Sequence, residues 1–160
     1  VKERHSARVV LADRRGRVLL VRVVDDGSIT RPGNEPAPHT YWITPGGGVE
    51  LGESLEAAAR RELFEETGID EFELGPELFE RRIQLNLRHE LLLAVEHYFA
   101  GVAADVEPTL EHLDALERGV LVEHRWWTPE DIGRRGPGAI VFPPNLGELA
   151  TQAVAHWSIG

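Results

Sequence analysis

The sequence predicts an α/β fold: a mixed β-sheet with helices packed against it. Three observations carry that reading. Apolar, β-branched runs outnumber helical ones. Capped helix signals punctuate the chain between those runs. The 160 residues, 42% hydrophobic and 28% charged, suffice for one domain with its own core.

Residues 7–11 and 18–24 read as strands flanking Asp13-Arg14-Arg15-Gly16, a hairpin turn. Residues 25–40 carry Asp25, Asp26, Gly27, Pro32, Gly33, Asn34, Pro36 and Pro38, and read as a long loop. Residues 41–44 form a short strand, stopped by Pro45 and the Gly46-Gly47-Gly48 run. A helix is expected over 54–67, with Ser54 as its N-cap, the Ala57-Ala58-Ala59 run inside it and Gly68 as its stop. Two extended segments follow, 77–87 and 90–100, joined near Arg88-His89. A short helix is expected over 110–118 and a strand over 120–127. Thr128-Pro129 starts a helix with a cap and a proline at the first position. Residues 137–144 read as a loop, and Asn145 caps a last amphipathic helix ending near Trp157. No internal repeat is present, so one domain over residues 1–160 is expected.

Composition excludes several functions. With 17 Lys+Arg against 27 Asp+Glu the formal charge is −10, the wrong sign for nonspecific nucleic-acid binding or for docking on anionic lipid. The absence of cysteine removes disulfides, zinc–thiolate sites, iron–sulfur clusters and thiol nucleophiles. The longest wholly apolar run, Leu91-Leu92-Leu93-Ala94-Val95, is far too short for a membrane span. No signal-peptide pattern opens the chain, and the cytoplasm is the expected location. If the ligand is an anion, a divalent cation is the economical way to offset the surrounding acid.

The chemistry concentrates in residues 47–69. Helical residues advance by about 100°, so Glu65 sits roughly 60° to one side of Glu62 and Glu66 about 40° to the other. Three carboxylates within one turn repel one another and raise one another's pKa. A hard cation such as Mg²⁺ or Mn²⁺ removes that penalty, because carboxylate oxygens are its preferred ligands. Leu55, Ala59 and Leu63 are expected to pack on the sheet from the opposite face. The three glycines before the helix let the backbone approach a ligand closely, but no Lys-Ser/Thr follows as in a P-loop.

Gly47, Glu53 and the run Arg61-Glu62-Leu63-Phe64-Glu65-Glu66-Thr67-Gly68-Ile69 together resemble the Nudix box of MutT-like hydrolases, with every defining position filled. The resemblance implies a Nudix fold, an α/β/α sandwich. It also implies hydrolysis of a nucleoside diphosphate linked to another moiety, by water attack at phosphorus with Mg²⁺ or Mn²⁺. Glu62, Glu65 and Glu66 match the metal ligands, with Glu65 and Glu66 the principal pair. Glu53 matches the glutamate that holds the loop or the metal, and Arg61 the arginine that orients a glutamate. Gly46, Gly47 and Gly48 would offer backbone groups to metal and phosphates.

The proton acceptor stays open between Glu65 and Glu123. Glu123 lies in a strand resembling the glutamate-then-tryptophan strand that many members carry beyond the box, and Glu90 and Glu96 are weaker candidates. Arg22, Arg31, Arg81 and Arg82 are candidates for phosphate contact, since guanidinium forks suit phosphates. Tyr41, Trp42, Phe79, Trp126 and Trp127 are candidates for base stacking, although aromatics in strands more often fill a core. Asn86 is a candidate for reading a purine edge.

The subgroup marks for ADP-ribose, dinucleoside polyphosphate and coenzyme A are missing. A nucleoside triphosphate, normal or oxidised, or a nucleotide sugar is the first expectation; ADP-ribose and dinucleoside polyphosphates stay in range. The rival reading is a non-catalytic nucleotide sensor on the same scaffold, which the intact box disfavours. An isoprenoid diphosphate isomerase on this scaffold would lean on a cysteine that the chain lacks. Family members are often homodimers.

Overall fold

The computed structural model describes residues 1–25, 29–31, 35–36, 38–87, 89–136 and 139–158. β1 (Lys2–Ala12) and β2 (Val18–Val24) meet at the expected hairpin. Buried Asp13 holds that turn: its Oδ1 accepts from the N–H groups of Arg15 and Arg17, each at 2.9 Å, and its Oδ2 from Arg17 Nε at 2.8 Å. Part of the expected loop at 25–40 is structured. β3 (Ile29–Arg31) and β4 (Glu35–Pro36) pair antiparallel, and β3 adds to the strand that follows the first helix. Residues 26–28, 32–34 and 37 of that segment, Arg88, residues 137–138 and the side chain of Arg31 lie outside the described residues.

β5 (Thr40–Ile43) and β6 (Gly46–Gly48) lead into helix α1 (Leu55–Thr67). Ser54 Oγ accepts from Ala57 N–H, as an N-cap should. Gly68 closes α1 at φ +75°, a left-handed conformation that suits glycine, and its N–H returns to the Phe64 carbonyl at 2.7 Å. β7 (Glu73–Leu87) and β8 (Glu90–Val102) form a long hairpin. The expected helix at 110–118 is instead a series of turns. The Asp114 carboxylate accepts from Glu117 N–H and Gly119 takes φ +84°, so no second helical turn can propagate. β9 (Leu121–Trp127), α2 (Pro129–Arg134), β10 (Val141–Phe142) and α3 (Leu146–Ser158) complete the chain.

Along the sheet the strands run β10-β5-β2-β1-β8-β7-β3-β4, with β6 on β1 and β9 on β2. β1–β8 and β10–β5 are parallel and the other pairs antiparallel, so the sheet is mixed. β1 and β2 are paired only at Ala12–Val18, and the sheet opens into two wings beyond that rung. Alternating side chains of β1 separate the layers. Ala7, Val9 and Leu11 join Ala58, Ala59 and Leu63 of α1. Val10 and Ala12 join Ile132 of α2 and Leu146, Leu149, Ala150 and Ala153 of α3 on the other face. The result is the α/β/α sandwich expected. No helix among the described residues is long and apolar enough to cross a membrane.

Leu63 is fully buried where α1 meets β1 and β2. Leu63→Ala is expected to cost about 2–5 kcal/mol by removing buried methyl groups and leaving a cavity. Urea unfolding of both proteins measures it.

Candidate active site

Helix α1 does not keep its acids and its apolar residues on opposite faces. At about 100° per residue, Leu55 and Ala59 fall within roughly 60° of Glu62, so they share its stripe with Glu66. The expectation that Leu55, Ala59 and Leu63 lie opposite the acids is therefore corrected. Glu62 and Glu66 are buried beside Ala58, Ala59 and Leu63, at 8% and 3% exposure. Glu65 sits at the edge of the stripe with its side chain 36% exposed.

Strand β6 covers the buried acids. The N–H of Gly46 donates to Glu66 Oε2 at 2.9 Å. A Cβ on Gly47 would lie 2.5–2.7 Å from the Glu62 carboxyl atoms, so a side chain at 47 and a carboxylate at 62 cannot share the space. Gly48 gives its carbonyl to Arg61 Nη2 at 3.0 Å. The rest of the Arg61 fork organises the acids. Nε and Nη2 each meet Glu53 at 2.8 Å, while Nη1 meets Glu62 at 2.8 Å and Glu65 at 3.4 Å. Glu53 also accepts from Glu50 N–H at 3.0 Å, which ties the loop before α1 to Arg61.

The third acid of the cluster had no motif to announce it. Glu117 comes from the turn-rich segment after β8, and one oxygen each of Glu62, Glu66 and Glu117 lie within 4.8 Å of one another. Glu117 Oε1 is buried and has no hydrogen-bond partner among the described residues. Its segment is anchored by Leu113, packed with Val21, Val23 and Leu121. The only sequence signal was an acid just ahead of the β9 strand, inside a stretch read as helix. His124 of β9 closes the site from below, donating from Nε2 to the Glu66 carbonyl at 2.7 Å. Burial depresses the His124 pKa, which favours the neutral ring.

Thus Gly46, Gly47, Gly48, Glu53, Arg61, Glu62, Glu65 and Glu66 converge, while the other expected residues do not. Glu123 follows the alternation of β9 to the face opposite His124 and pairs with Arg22 at 2.8 Å on the surface. Arg81 meets Glu96 at 3.3 Å, and Arg82 meets Glu3 at 2.7 Å. Trp42 and Trp127 pack edge to face in the core, as Phe79 and Trp126 pack against core clusters. A cavity of about 240 Å³ adjoins Gly47 and Gly48, lined by Arg4, Ser6 and Arg8 of β1, Leu85 of β7, and Leu92, Ala94 and Glu96 of β8. No aromatic ring among the described residues lines it. The guanidinium of Arg4, in its lining, has no hydrogen-bond or ion-pair partner among the described residues and lies close behind Gly48.

The cluster's electrostatics follow from burial. Desolvation raises the pKa of Glu66 well above the ordinary carboxylate range, against the pull of Arg8 and the Gly46 N–H. It raises Glu62 as well, opposed by Arg61. Glu117 is raised by burial and then by Asp114, Glu62 and Glu65. Glu53 runs the other way, held down to about 2 chiefly by its hydrogen bonds from Arg61.

A family model described as NUDIX domain matches residues 2–145. An RNA pyrophosphohydrolase of Caulobacter vibrioides is 60% identical over 38 residues, a match covering 24% of this chain and 22% of that protein. Among solved structures, the MutT protein from Methanosarcina mazei Go1 superposes with TM-score 0.64 at 19% identity, covering 99% of this chain and 97% of the other. A C. elegans Ap4A hydrolase binary complex gives TM-score 0.61 at 17% identity, covering 97% and 98%. At these identities the structural likeness speaks for the fold.

A raised carboxyl pKa works against folding as pH rises, because the unfolded chain ionises first, near pH 4.3. Without added metal, Glu66→Gln is therefore expected to melt at a higher temperature than wild type at pH 8, with the gain fading as pH falls toward 4. For Glu53 the sign is reversed. Its stabilising effect is complete above about pH 4.3 and lost as pH falls through about 2, so Glu53→Gln is expected to lower Tm at pH 7 and to converge with wild type in acid. Thermal melts across pH read both.

Proposed function

Because this chain belongs to the NUDIX family, we propose that it hydrolyses a pyrophosphate bond in a nucleoside diphosphate linked to another moiety, using Mg²⁺ or Mn²⁺. The observation that carries the reading is the convergence of Glu62, Glu66 and Glu117. Three acids gathered where burial opposes their ionisation form an oxygen-only donor set, the chemistry a hard divalent cation prefers. The partnerless Glu117 oxygen fits a ligand role. When bound, such an ion supplies positive charge against the phosphates and acidifies the attacking water.

The chain's own residues do the rest. Gly46, Gly47 and Gly48 present bare backbone, so a phosphate can approach the acids with no side chain between. Arg61 locks Glu53, Glu62 and the Gly48 carbonyl into one frame. Glu65, at the exposed edge and tethered by one long bond to Arg61, is the base that takes the proton from water. Glu123 is held by Arg22 away from the buried acids and is not used. The role first given to Arg22 and Arg81 passes to Arg4, a guanidinium with no partner among the described residues in a chain of charge −10, placed behind the glycine strand to meet a substrate phosphate.

A nucleoside triphosphate or nucleotide sugar fits first. The names of the relatives add RNA 5′ pyrophosphate ends and Ap4A to the panel. The acidic surface favours a small nucleotide over an RNA chain.

Mg²⁺-dependent hydrolysis of one member of that panel is expected to vanish with chelator, and Glu66→Gln to lower kcat by about 10²-fold or more. Phosphate products resolved by chromatography test both, and a metal-independent rate would overturn the reading. Arg4→Ala is expected to raise KM about tenfold with kcat little changed, the signature of lost binding shared by ground and transition states. A fall in kcat alone would remove Arg4 from the phosphate contact.

A further inference from the structure

Glu117 does not hold itself in the site. Its Oε1 is buried with no hydrogen-bond partner among the described residues. Burial, then the charges of Asp114, Glu62 and Glu65, oppose its ionisation there. Something else must seat its segment. Residues 110–121 are tied together internally. Leu113 N–H reaches the Leu110 carbonyl at 3.3 Å, Glu117 N–H the Asp114 carboxylate at 2.9 Å, Arg118 Nε the Leu113 carbonyl at 3.2 Å, and Leu121 N–H the Glu117 carbonyl at 3.0 Å. Leu113 packs this piece on Val21 and Val23 of β2 and Leu121 of β9, and none of those residues belongs to α1.

The contacts that join the segment to the helix gather at the last turn of α1. Thr109 N–H donates to the Thr67 carbonyl at 2.8 Å. The His112 ring stacks on Phe64, with centroids 4.5 Å apart and planes 29° from parallel. Gly68 leaves the room for both: a Cβ there would lie 2.6 Å from Thr109 Cγ2 and 3.4 Å from His112 Cδ2. At about 100° per residue Phe64 lies roughly 160° around the helix from Glu62, and it is 37% exposed. It therefore adds little to the core beneath α1. The carboxylate facing His112 Nε2, Glu111 at 3.6 Å, belongs to the same segment and cannot tie it to the helix.

We propose that His112 is a positioning residue: stacked on Phe64, it holds the 109–118 segment against α1 and so sets Glu117 beside Glu62 and Glu66 as the third ligand of a divalent cation. The inference rests on the metal reading above. Leu113 fixes the segment to the sheet, and the stack fixes its distance from the helix. Phe64 stands between Glu62 and Glu65 in the chain, so the turn that carries the acids also carries the seat for the one that arrives from elsewhere.

The test is Mn²⁺ binding to the substrate-free protein, read by electron paramagnetic resonance, with amide exchange of the metal-free protein beside it. His112→Ala is expected to speed exchange of the Thr109 amide and to weaken Mn²⁺ binding about three- to tenfold, the scale of one lost aromatic pair. His112→Phe keeps a ring on Phe64 and is expected to bind Mn²⁺ within about twofold of wild type. In a Glu117→Gln background, His112→Ala is expected to cause no further loss, since the acid it positions is gone. A merely structural role would give the same loss in both backgrounds. That result overturns the inference, as does a His112→Ala protein that binds Mn²⁺ like wild type or a His112→Phe protein as weak as His112→Ala. If His112→Ala shows no cooperative melt, Phe64→Leu, which removes the other ring and keeps an apolar side chain on the helix, carries the same comparison. Failure of the metal reading is separate: wild type then binds no Mn²⁺, or Glu117→Gln binds it as wild type does, and the inference falls with it.

Discussion

Two carboxylates buried under a strand without side chains set the terms for the rest of this molecule. Glu62 and Glu66 lie on the stripe of α1 that packs toward β1, where apolar residues would fold more cheaply. The surroundings are arranged to tolerate them. Gly46 supplies an N–H, Arg61 reaches Glu62, and Arg8 stands behind the strand. None of these neutralises the site fully, since burial still holds both acids above their ordinary range. The remaining demand for positive charge links the fold to the chemistry proposed for it.

The frame that meets this demand draws on distant parts of the chain. β1 brings Arg8, β6 the glycines, α1 two acids, and the segment before β9 the third. That segment stays in place because Leu113 is buried and the Asp114 carboxylate closes the turn holding Glu117. On the cavity side, Glu96 ties β8 to β1 through Arg8 and to β7 through Arg81. One ion-pair network therefore spans three strands of the wing that carries the site.

Much of this was legible in the sequence, and the exceptions have physical reasons. Caps and spacing located α1, because Ser54 and Gly68 act through their own backbone neighbours. The box residues converge because their spacing is local to one loop and one helix. Glu117 was hidden because only tertiary contact brings it to α1, and a run such as 110–118 carries no mark that separates a helix from successive turns. Glu123 was misread for a related reason. Alternation along β9 sends it and His124 to opposite faces, and which faces the helix depends on pairing with β2. Arg22 and Arg81 looked available as single residues, but each finds an acid across the sheet. Arg4 could be singled out only once its neighbours had been paired off. The opposite-face reading of Leu55 and Ala59 was an error of angle, not of missing information.

The contact between Gly47 and Glu62 makes the two positions inseparable. Where a methyl group at 47 would occupy the volume of the carboxyl at 62, neither can drift alone. A variant lineage could gain a side chain on that strand only by shrinking the acid beneath it in the same step, and would then surrender one corner of the cage. Bare backbone here is thus a form of heredity: it records, as a missing atom in one residue, the presence of another.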